Sequence, residues 1–341
     1  MQEEILCGGN GVKTIIKIEV VLLVLLLIAA AGVTLMVNGM LVLEEPVIMQ
    51  RTPAPIQQDE QTAEMASETV PVTTAPPDQA EPPQVAATRY FAYDVRTEEY
   101  LRLQGDVNEK LYPASITKLL TSYVVLQYLD PESTVVVGDA LTLVDPDSSV
   151  AELQEGDELT VEQLIAGMMM PSGNDAAQVA AVETGRAIAE DSSLDAASAK
   201  EIFVDEMNRQ AQLLGMENSH FVSPDGWHDE DHYTTMADLV TLAKVVLNNQ
   251  TMLKYTSLAT QTVVLNGREV EWENTNFLLY EDKGIYVPST IGLKTGYTEA
   301  AGGCLVSAFF ETDRIILIGV FGGPGFTMDR YVDTAAIYDS L

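Results

Sequence analysis

"GIYVPSTIGLKTGYTEAAGGCLVSAFFETDRIILIGVFGG", residues 284–323, decides how this chain folds. It holds three strand-like runs, at 284–297, 303–310 and 314–323, separated by short polar or glycine-bearing breaks. Apolar, β-branched runs bounded by turn residues read as strands. Such strands need partners, and the start of the same region supplies them. "RYFAYDV" (89–95) and "YLRLQG" (100–105) flank "RTEE" and read as two strands joined by a turn. Between the two groups the apolar spacing is helical, predicting helices over 115–129, 161–169, 175–189, 198–213 and 236–248. Thr160 and Gln163 have the spacing of a capping box at the second of these. A final amphipathic segment occupies 328–341. Strands at both ends with helices between them predict an α+β domain. One sheet is assembled from its two termini, and the middle helices cover it or form a lobe beside it.

The chain ahead of residue 89 has a different character. Residues 20–37, "VVLLVLLLIAAAGVTLMV", are apolar throughout, long enough to cross a bilayer as a helix. Lys13 and Lys17 precede the run and Glu44 and Glu45 follow it, which favours a cytoplasmic N-terminus. A cleaved signal peptide ending at "AAAG" (29–32) is the competing reading, but the apolar run continues past that site. Residues 44–88 hold eight prolines and no aromatic residue, the composition of an extended, disordered spacer. The expected organisation is a cytoplasmic tail (1–13), a transmembrane anchor (14–43), a Pro/Thr/Glu-rich tether (44–88) and a folded domain (89–341). It implies a single-pass membrane protein with its domain outside.

The chain carries 18 basic and 51 acidic residues among 341, a formal net charge of −33. That balance excludes nucleic acid as a partner, because a phosphate backbone would be repelled. Of the two cysteines, Cys7 and Cys304 lie on opposite sides of the apolar run, so no bridge between them is expected. Cys304, among Gly302, Gly303, Leu305 and Val306, reads as a small buried apolar residue.

Three short motifs carry candidate chemistry. "YPASITKLLT" (112–121) places Ser115 and Lys118 three apart, on one face of a helix that Pro113 suits as a start. A lysine with a depressed pKa can take the proton of a neighbouring hydroxyl and make it a nucleophile. Alone, the pair equally fits an ordinary helix start. "MMMPSGNDAA" (168–177) sets Ser172, Gly173 and Asn174 between two helical segments. That is either a functional turn facing a cleft or a plain turn in which Asn174 or Asp175 caps the next helix. "IGLKTGYT" (291–298) puts Lys294, Thr295 and Gly296 on a predicted strand. A glycine there suits the close approach of another backbone, such as a peptide added as a further strand.

Together, in this order, the three motifs resemble the set of the penicillin-binding proteins and class A β-lactamases. Over roughly residues 89–341, "YPASITKLLT", "LIAGMMMPSGNDAAQVAA", "FVSPDGWHDEDHYTTMADL" and "GLKTGYTEAAGGCLVSA" closely resemble the serine-type D-Ala-D-Ala carboxypeptidases. The resemblance implies a three-layer α/β/α fold with an antiparallel sheet flanked by helices and a helical lobe. It makes Ser115 the acylated nucleophile and Lys118 its base. Ser172 and Asn174 would pass a proton and orient the substrate amide. Lys294, Thr295 and Gly296 would hold the terminal carboxylate, and Tyr297 would join Ser115 in the oxyanion hole. The implied substrate is a peptidoglycan stem peptide ending in D-Ala-D-Ala, with β-lactams as inhibitors and no cofactor or metal. Many relatives carry a β-rich domain and a C-terminal anchor after the catalytic domain, whereas here the expected anchor is N-terminal.

Three rival features remain. His228 and His232 lie four apart, a zinc-like spacing if helical, in a stretch that reads as a loop. "EWEN" (271–274) has the Glu-x-x-Asn form by which a serine β-lactamase positions its deacylating water, which would make Glu271 the mark of that activity. A non-enzymatic β-lactam or cell-wall sensor is a third reading; about 13 residues before Thr14 leave no room for a cytoplasmic effector.

Overall fold

The computed structural model describes residues 83–341. The expected tail and membrane segment, and most of the tether, lie outside the described residues. Among the described residues no helix is long and apolar enough to cross a membrane.

A five-stranded antiparallel sheet forms the spine, in the order β2-β1-β9-β8-β7. Its strands are β1 (Arg89–Asp94), β2 (Glu99–Gln104), β7 (Thr290–Thr298), β8 (Gly302–Glu311) and β9 (Arg314–Gly323). The last strand of the chain pairs with the first, Phe91 opposite Gly319 and Tyr93 opposite Leu317. The two terminal groups of strands therefore make one sheet, and β7 is left at its edge.

Side chains alternate between the sheet's two faces, and both faces are buried. Tyr90, Ala92, Leu305, Phe309, Ile316, Ile318 and Val320 pack with Tyr331 and Ile337 of α7 (Asp329–Asp339). The opposite face, with Phe91, Tyr93, Val306, Ala308, Leu317 and Phe321, joins the larger core of the helical lobe. That lobe comprises α1 (Lys118–Tyr128), α2 (Val161–Met169), α3 (Asn174–Ala189), α4 (Ala196–Leu213), α5 (Met236–Leu247) and α6 (Gln250–Thr256). Sheet, covering helix and lobe are the three layers expected of an α+β chain.

Local signals explain most boundaries. The capping box at α2 is formed: the Gln163 N–H donates to Thr160 Oγ1 and the Thr160 N–H to Gln163 Oε1. The helix expected from 115 begins as a 3₁₀ turn, Ala114–Thr117, and becomes α-helical only at Lys118. Two small antiparallel pairs complete the fold: β3 (Thr134–Val136) with β4 (Glu158–Thr160), and β5 (Thr260–Leu265) with β6 (Arg268–Glu273). The second turns through Asn266-Gly267, both at positive φ, as a two-residue hairpin requires. The expected tether boundary at 88 is too late. Ala87 is buried, and the N–H groups of Ala86 and Ala87 donate to the two oxygens of Asp333 on α7 at 3.0 and 2.7 Å.

Candidate active site

The 3₁₀ turn and α1 bring Ser115 and Lys118 together. Lys118 Nζ lies 2.8 Å from Ser115 Oγ, 2.7 Å from Asn174 Oδ1 and 2.9 Å from the Asp225 carbonyl. The lysine is fully buried, and burial holds its ammonium down to about 8 against the opposing pull of Asp225 and Asp175. A neutral amine has two N–H bonds and one lone pair. With Asn174 Oδ1 and the Asp225 carbonyl accepting the two N–H groups, the lone pair is left for the Ser115 hydroxyl.

Asn174 is the first residue of α3, which begins after a turn through Ser172 and Gly173. Ser172 stands at φ +63°, a left-handed conformation that a non-glycine residue adopts only when its surroundings impose it. The surroundings are visible. The Ser149 hydroxyl donates to the Ser172 carbonyl at 2.8 Å, and the Asn174 N–H donates to the Ser149 carbonyl at 2.8 Å. Asp175, buried, accepts the N–H groups of Ala151 and Leu153 at 2.7 and 3.0 Å. A side chain on Gly173 would start 2.6 Å from that carboxylate, so the turn needs glycine for space. Trp272 of β6 holds the same loop from below, its indole N–H donating to the Ala151 carbonyl at 2.9 Å.

The opposite wall is β7. Lys294 is buried, and its amine donates to the Thr295 carbonyl at 3.2 Å. Burial first, then the positive charges of Lys118 and Arg330, push its pKa well below the usual lysine value. Thr295 and Thr275 share a hydrogen bond at 2.6 Å. A backbone does approach Gly296 closely, that of the turn carrying Ser115: a Cβ there would lie 2.9 Å from the Pro113 carbonyl and 3.1 Å from the Ser115 nitrogen.

These elements enclose a cleft of about 740 Å³ whose lining includes Ser115, Ser172, Asn174, Thr295, Gly296 and Tyr297. Trp227 and Phe326 stand on its rim, 42% and 72% exposed, and Phe326 makes an edge contact with Tyr297 at 5.3 Å. The structure thus brings all eight sequence-predicted residues to one place, with Lys118 and Lys294 behind the lining.

Two contributors were not foreseen. Asp225 offers its backbone carbonyl to Lys118, while its carboxylate accepts from Gln178, Ser223 and the Trp227 N–H. Any residue type has a carbonyl, so nothing in the sequence singles it out. Arg330 lies in the final amphipathic segment, read only as a helix. It lines the cleft while buried, donates to the Gly296 carbonyl at 3.3 Å and stacks against Phe326 and Tyr331.

The rival features resolve by placement. His228 makes an edge contact with Tyr112, 4.8 Å between ring centres. His232 is buried; its Nδ1 accepts the Val222 N–H at 3.1 Å, so Nε2 carries the proton donated to Thr117 Oγ1 at 2.8 Å. The two rings serve different partners. Glu271 lies exposed on β6 opposite Thr262, outside the cleft, which removes it as a water-positioning carboxylate. Asn274 of the same motif instead donates to the carbonyls of Thr256 and Leu258 at 3.2 and 2.9 Å. Cys304 is buried against the lobe core, and burial raises its thiol to about 11, the state of an inert thiol.

An antiparallel sheet, a helical lobe and a serine–lysine pair between them define the architecture of the DD-peptidases. The chain belongs to the family Peptidase_S11, D-alanyl-D-alanine carboxypeptidase, whose profile matches residues 76–324. Among curated relatives, the D-alanyl-D-alanine carboxypeptidase DacF of Bacillus subtilis (strain 168) is 31% identical over 220 residues, 63% of this chain and 52% of the relative. The D-alanyl-D-alanine carboxypeptidase of Streptomyces sp. (strain K15) is 33% identical over 245 residues, 69% of this chain and 80% of that one. The matched stretch spans 52% and 60% of the first two relatives' own lengths. The crystal structure of the Streptomyces K15 DD-transpeptidase superposes with a TM-score of 0.68 at 29% identity, covering 76% of this chain and 98% of that one. Penicillin-binding protein D2 from Listeria monocytogenes, in its cefotaxime-bound form, gives 0.62 at 26% identity, covering 75% and 97%.

Proposed function

We propose that this chain is a serine D,D-carboxypeptidase that removes the terminal D-Ala from peptidoglycan stem pentapeptides through an ester on Ser115. The observation that carries the reading is the Lys118 amine. Buried, held to about 8 and fixed by two carbonyl acceptors, it presents its lone pair 2.8 Å from a hydroxyl at the floor of a cleft. Family membership supplies the substrate class.

The geometry supports an acyl transfer in two steps. Ser115 Oγ attacks the carbonyl of the penultimate D-Ala while its proton passes to Lys118. The N–H groups of Ser115 and Tyr297 stabilise the oxyanion, a contribution of about 10²-fold or more for each such donor. Asn174 Nδ2 is free to hold the substrate amide, since its Oδ1 is engaged by Lys118. The C–N bond breaks, a proton reaches the departing amine through Ser172, and D-Ala leaves. Water then hydrolyses the ester. Lys294, Thr295 and Arg330 receive the terminal carboxylate. A β-lactam enters as a strained amide of the same shape, and its opened ring remains esterified to Ser115.

The N-terminal apolar run, lysines before it and glutamates after it, supports anchoring of the domain outside a bacterial cell membrane. Carbonate extraction and protease accessibility of the domain in whole cells test that part. The activity is tested by incubating a soluble chain from residue 76 with a pentapeptide ending in D-Ala-D-Ala and measuring free D-Ala. Release that depends on Ser115 is the expected result; equal release by Ser115→Ala refutes the assignment.

A further inference from the structure

The Lys118 lone pair is left for Ser115 because two acceptors take its N–H groups, Asn174 Oδ1 and the Asp225 carbonyl. The two acceptors are supported differently. Asn174 stands on a helix, α3. Asp225 lies in the loop between α4 and α5, where no helix or strand sets the direction of its carbonyl. The same carbonyl is 3.4 Å from Ser115 Oγ, so its direction bears on both reactive side chains.

Side chains set that direction instead. From α1, the Thr121 hydroxyl donates to the Pro224 carbonyl at 2.6 Å. Within the loop, Asp225 Oδ1 accepts the Ser223 hydroxyl and the Trp227 N–H, both at 2.9 Å. Asp225 Oδ2 accepts the Gln178 amide of α3 at 2.7 Å. Gln178 is four residues past Asn174, on the same face of that helix. One helical face thus serves both acceptors of Lys118, Asn174 directly and Asp225 through Gln178.

Gln178 is buried, and its helical neighbours Ala176, Ala177, Val179 and Ala180 are buried and apolar. Its Oε1 has no hydrogen-bond partner among the described residues. A buried amide left half satisfied costs stability, and the return on it here is the bond to Asp225.

We propose that Gln178 and Asp225 are positioning residues for the Lys118 amine: the Gln178 amide clamps the Asp225 carboxylate, and the clamp holds the Asp225 carbonyl on one Lys118 N–H and its negative charge beside the amine. The proposal rests on the peptidase reading above and adds how this chain aims its base. The charged groups around Lys118 are Asp225 and Asp175, which favour its ammonium, and Lys294 on the opposite wall, itself depressed in part by Lys118. His232, lowered to about 4, stays neutral from pH 6 to 9.

Stopped-flow acylation by a fluorescent penicillin, followed from pH 6 to 9, separates initial binding from the acylation step. Gln178→Leu removes the bond and retains the bulk. It should lower the plateau acylation rate about tenfold, as a misaimed base does. Initial binding should hold within about twofold, because Gln178 does not line the cleft. Asp225→Asn removes the charge alone, since the Gln178 amide can turn and accept through Oε1. Its plateau should stay within about threefold of the wild type. Its rate at pH 7, about a tenth of the plateau in the wild type, should become a larger fraction, because the ammonium has lost an anion. Asp225→Ala removes both, and beside it Gln178→Leu should cost less than about twofold more. A wild-type plateau in Gln178→Leu overturns the proposal alone, and this single variant decides if Asp225→Ala does not fold. So does a tenfold loss that persists beside Asp225→Ala, or an Asp225→Asn profile that coincides with the wild type. Wild-type protein that neither takes up the penicillin nor releases D-Ala overturns the peptidase reading, and this proposal with it.

Discussion

Two lysines are buried at the same cleft, and they are built for opposite tasks. Lys118 has three oxygen neighbours within 2.9 Å, one of them the hydroxyl it can deprotonate, and two carboxylates near enough to oppose the loss of its charge. Among the described residues Lys294 has a single hydrogen bond, to the carbonyl of the next residue, and its charged neighbours are the cations Lys118 and Arg330. Burial depresses both. Lys118 is thereby left as a base that loses its proton near pH 8 rather than in the usual lysine range, with its lone pair then aimed at Ser115. Lys294 is left as a cation site short of an anion, so an arriving carboxylate restores the charge that burial removed. Desolvation alone therefore assigns no role; the company of each amine does.

The largest break in that comparison comes from removing each amine in turn. Ser115→Ala and Lys118→Ala should each lower D-Ala release by at least about 10⁴-fold, as loss of a nucleophile or its base does in other acyl-transfer enzymes. Lys294→Ala should cost less, about 10²- to 10³-fold in kcat/KM, the range of a lost electrostatic contact at the reacting centre. Its deficit should shrink when the terminal carboxylate is amidated. Equal losses on the acid and the amide would erase the distinction between the two lysines.

Gly296→Ala tests whether the two walls are locked together. Its Cβ would meet the Pro113 carbonyl at 2.9 Å and Ala114 Cβ at 3.0 Å, so the turn must move. A displacement of that kind should cost about 10²-fold in acylation by a fluorescent penicillin, with folding retained by circular dichroism. Full acylation by the variant would show the packing to be incidental.

The pH profile comes next. Because Lys118 acts as the neutral amine and its pKa is held to about 8, the acylation rate should rise with pH through that value and level off above it. Between pH 6 and 7 the rise should be about tenfold. A flat stopped-flow profile from 6 to 9 would assign the base elsewhere.

The smallest expected effect concerns support. His232, lowered to about 4 mainly by burial, holds Thr117 between the two reactive residues. A histidine whose folded pKa lies below its unfolded value of about 6.5 adds stability above pH 6.5, and that stability fades as pH falls toward 4. The loss is on the order of 3 kcal/mol at most. Thermal melts of the wild type should fall over that window more steeply than those of His232→Gln; parallel curves would exclude the histidine as the cause.

What the sequence reveals depends on whether a side chain or a backbone carries the information. Strands at both ends and the helices over 161–169 and 236–248 are legible, because alternation and capping act through residue type. The serine, the two lysines and Asn174 stand out only through the joint resemblance of their three motifs, and the structure gathers them at one cleft. The 3₁₀ start at Ala114 is not legible, since it reflects packing of the turn against Gly296. Nor is the β5–β6 hairpin, where "EWEN" looks like a motif although Trp272 and Asn274 are there to brace loops. Arg330 hides in an amphipathic pattern because only the packed helix brings it to the cleft wall.

The strand order β2-β1-β9-β8-β7 also constrains how the molecule comes into being. Ser115 is made well before the strand it packs against and the two that complete the sheet, β7 to β9. Pairings that distant in sequence form slowly and late. A nascent chain halted before residue 314 should stay open to protease along its whole length and take up no labelled penicillin. Competence would then arrive only as the β8–β9 hairpin emerges, so the Ser115 hydroxyl stays inert until that pair has been made.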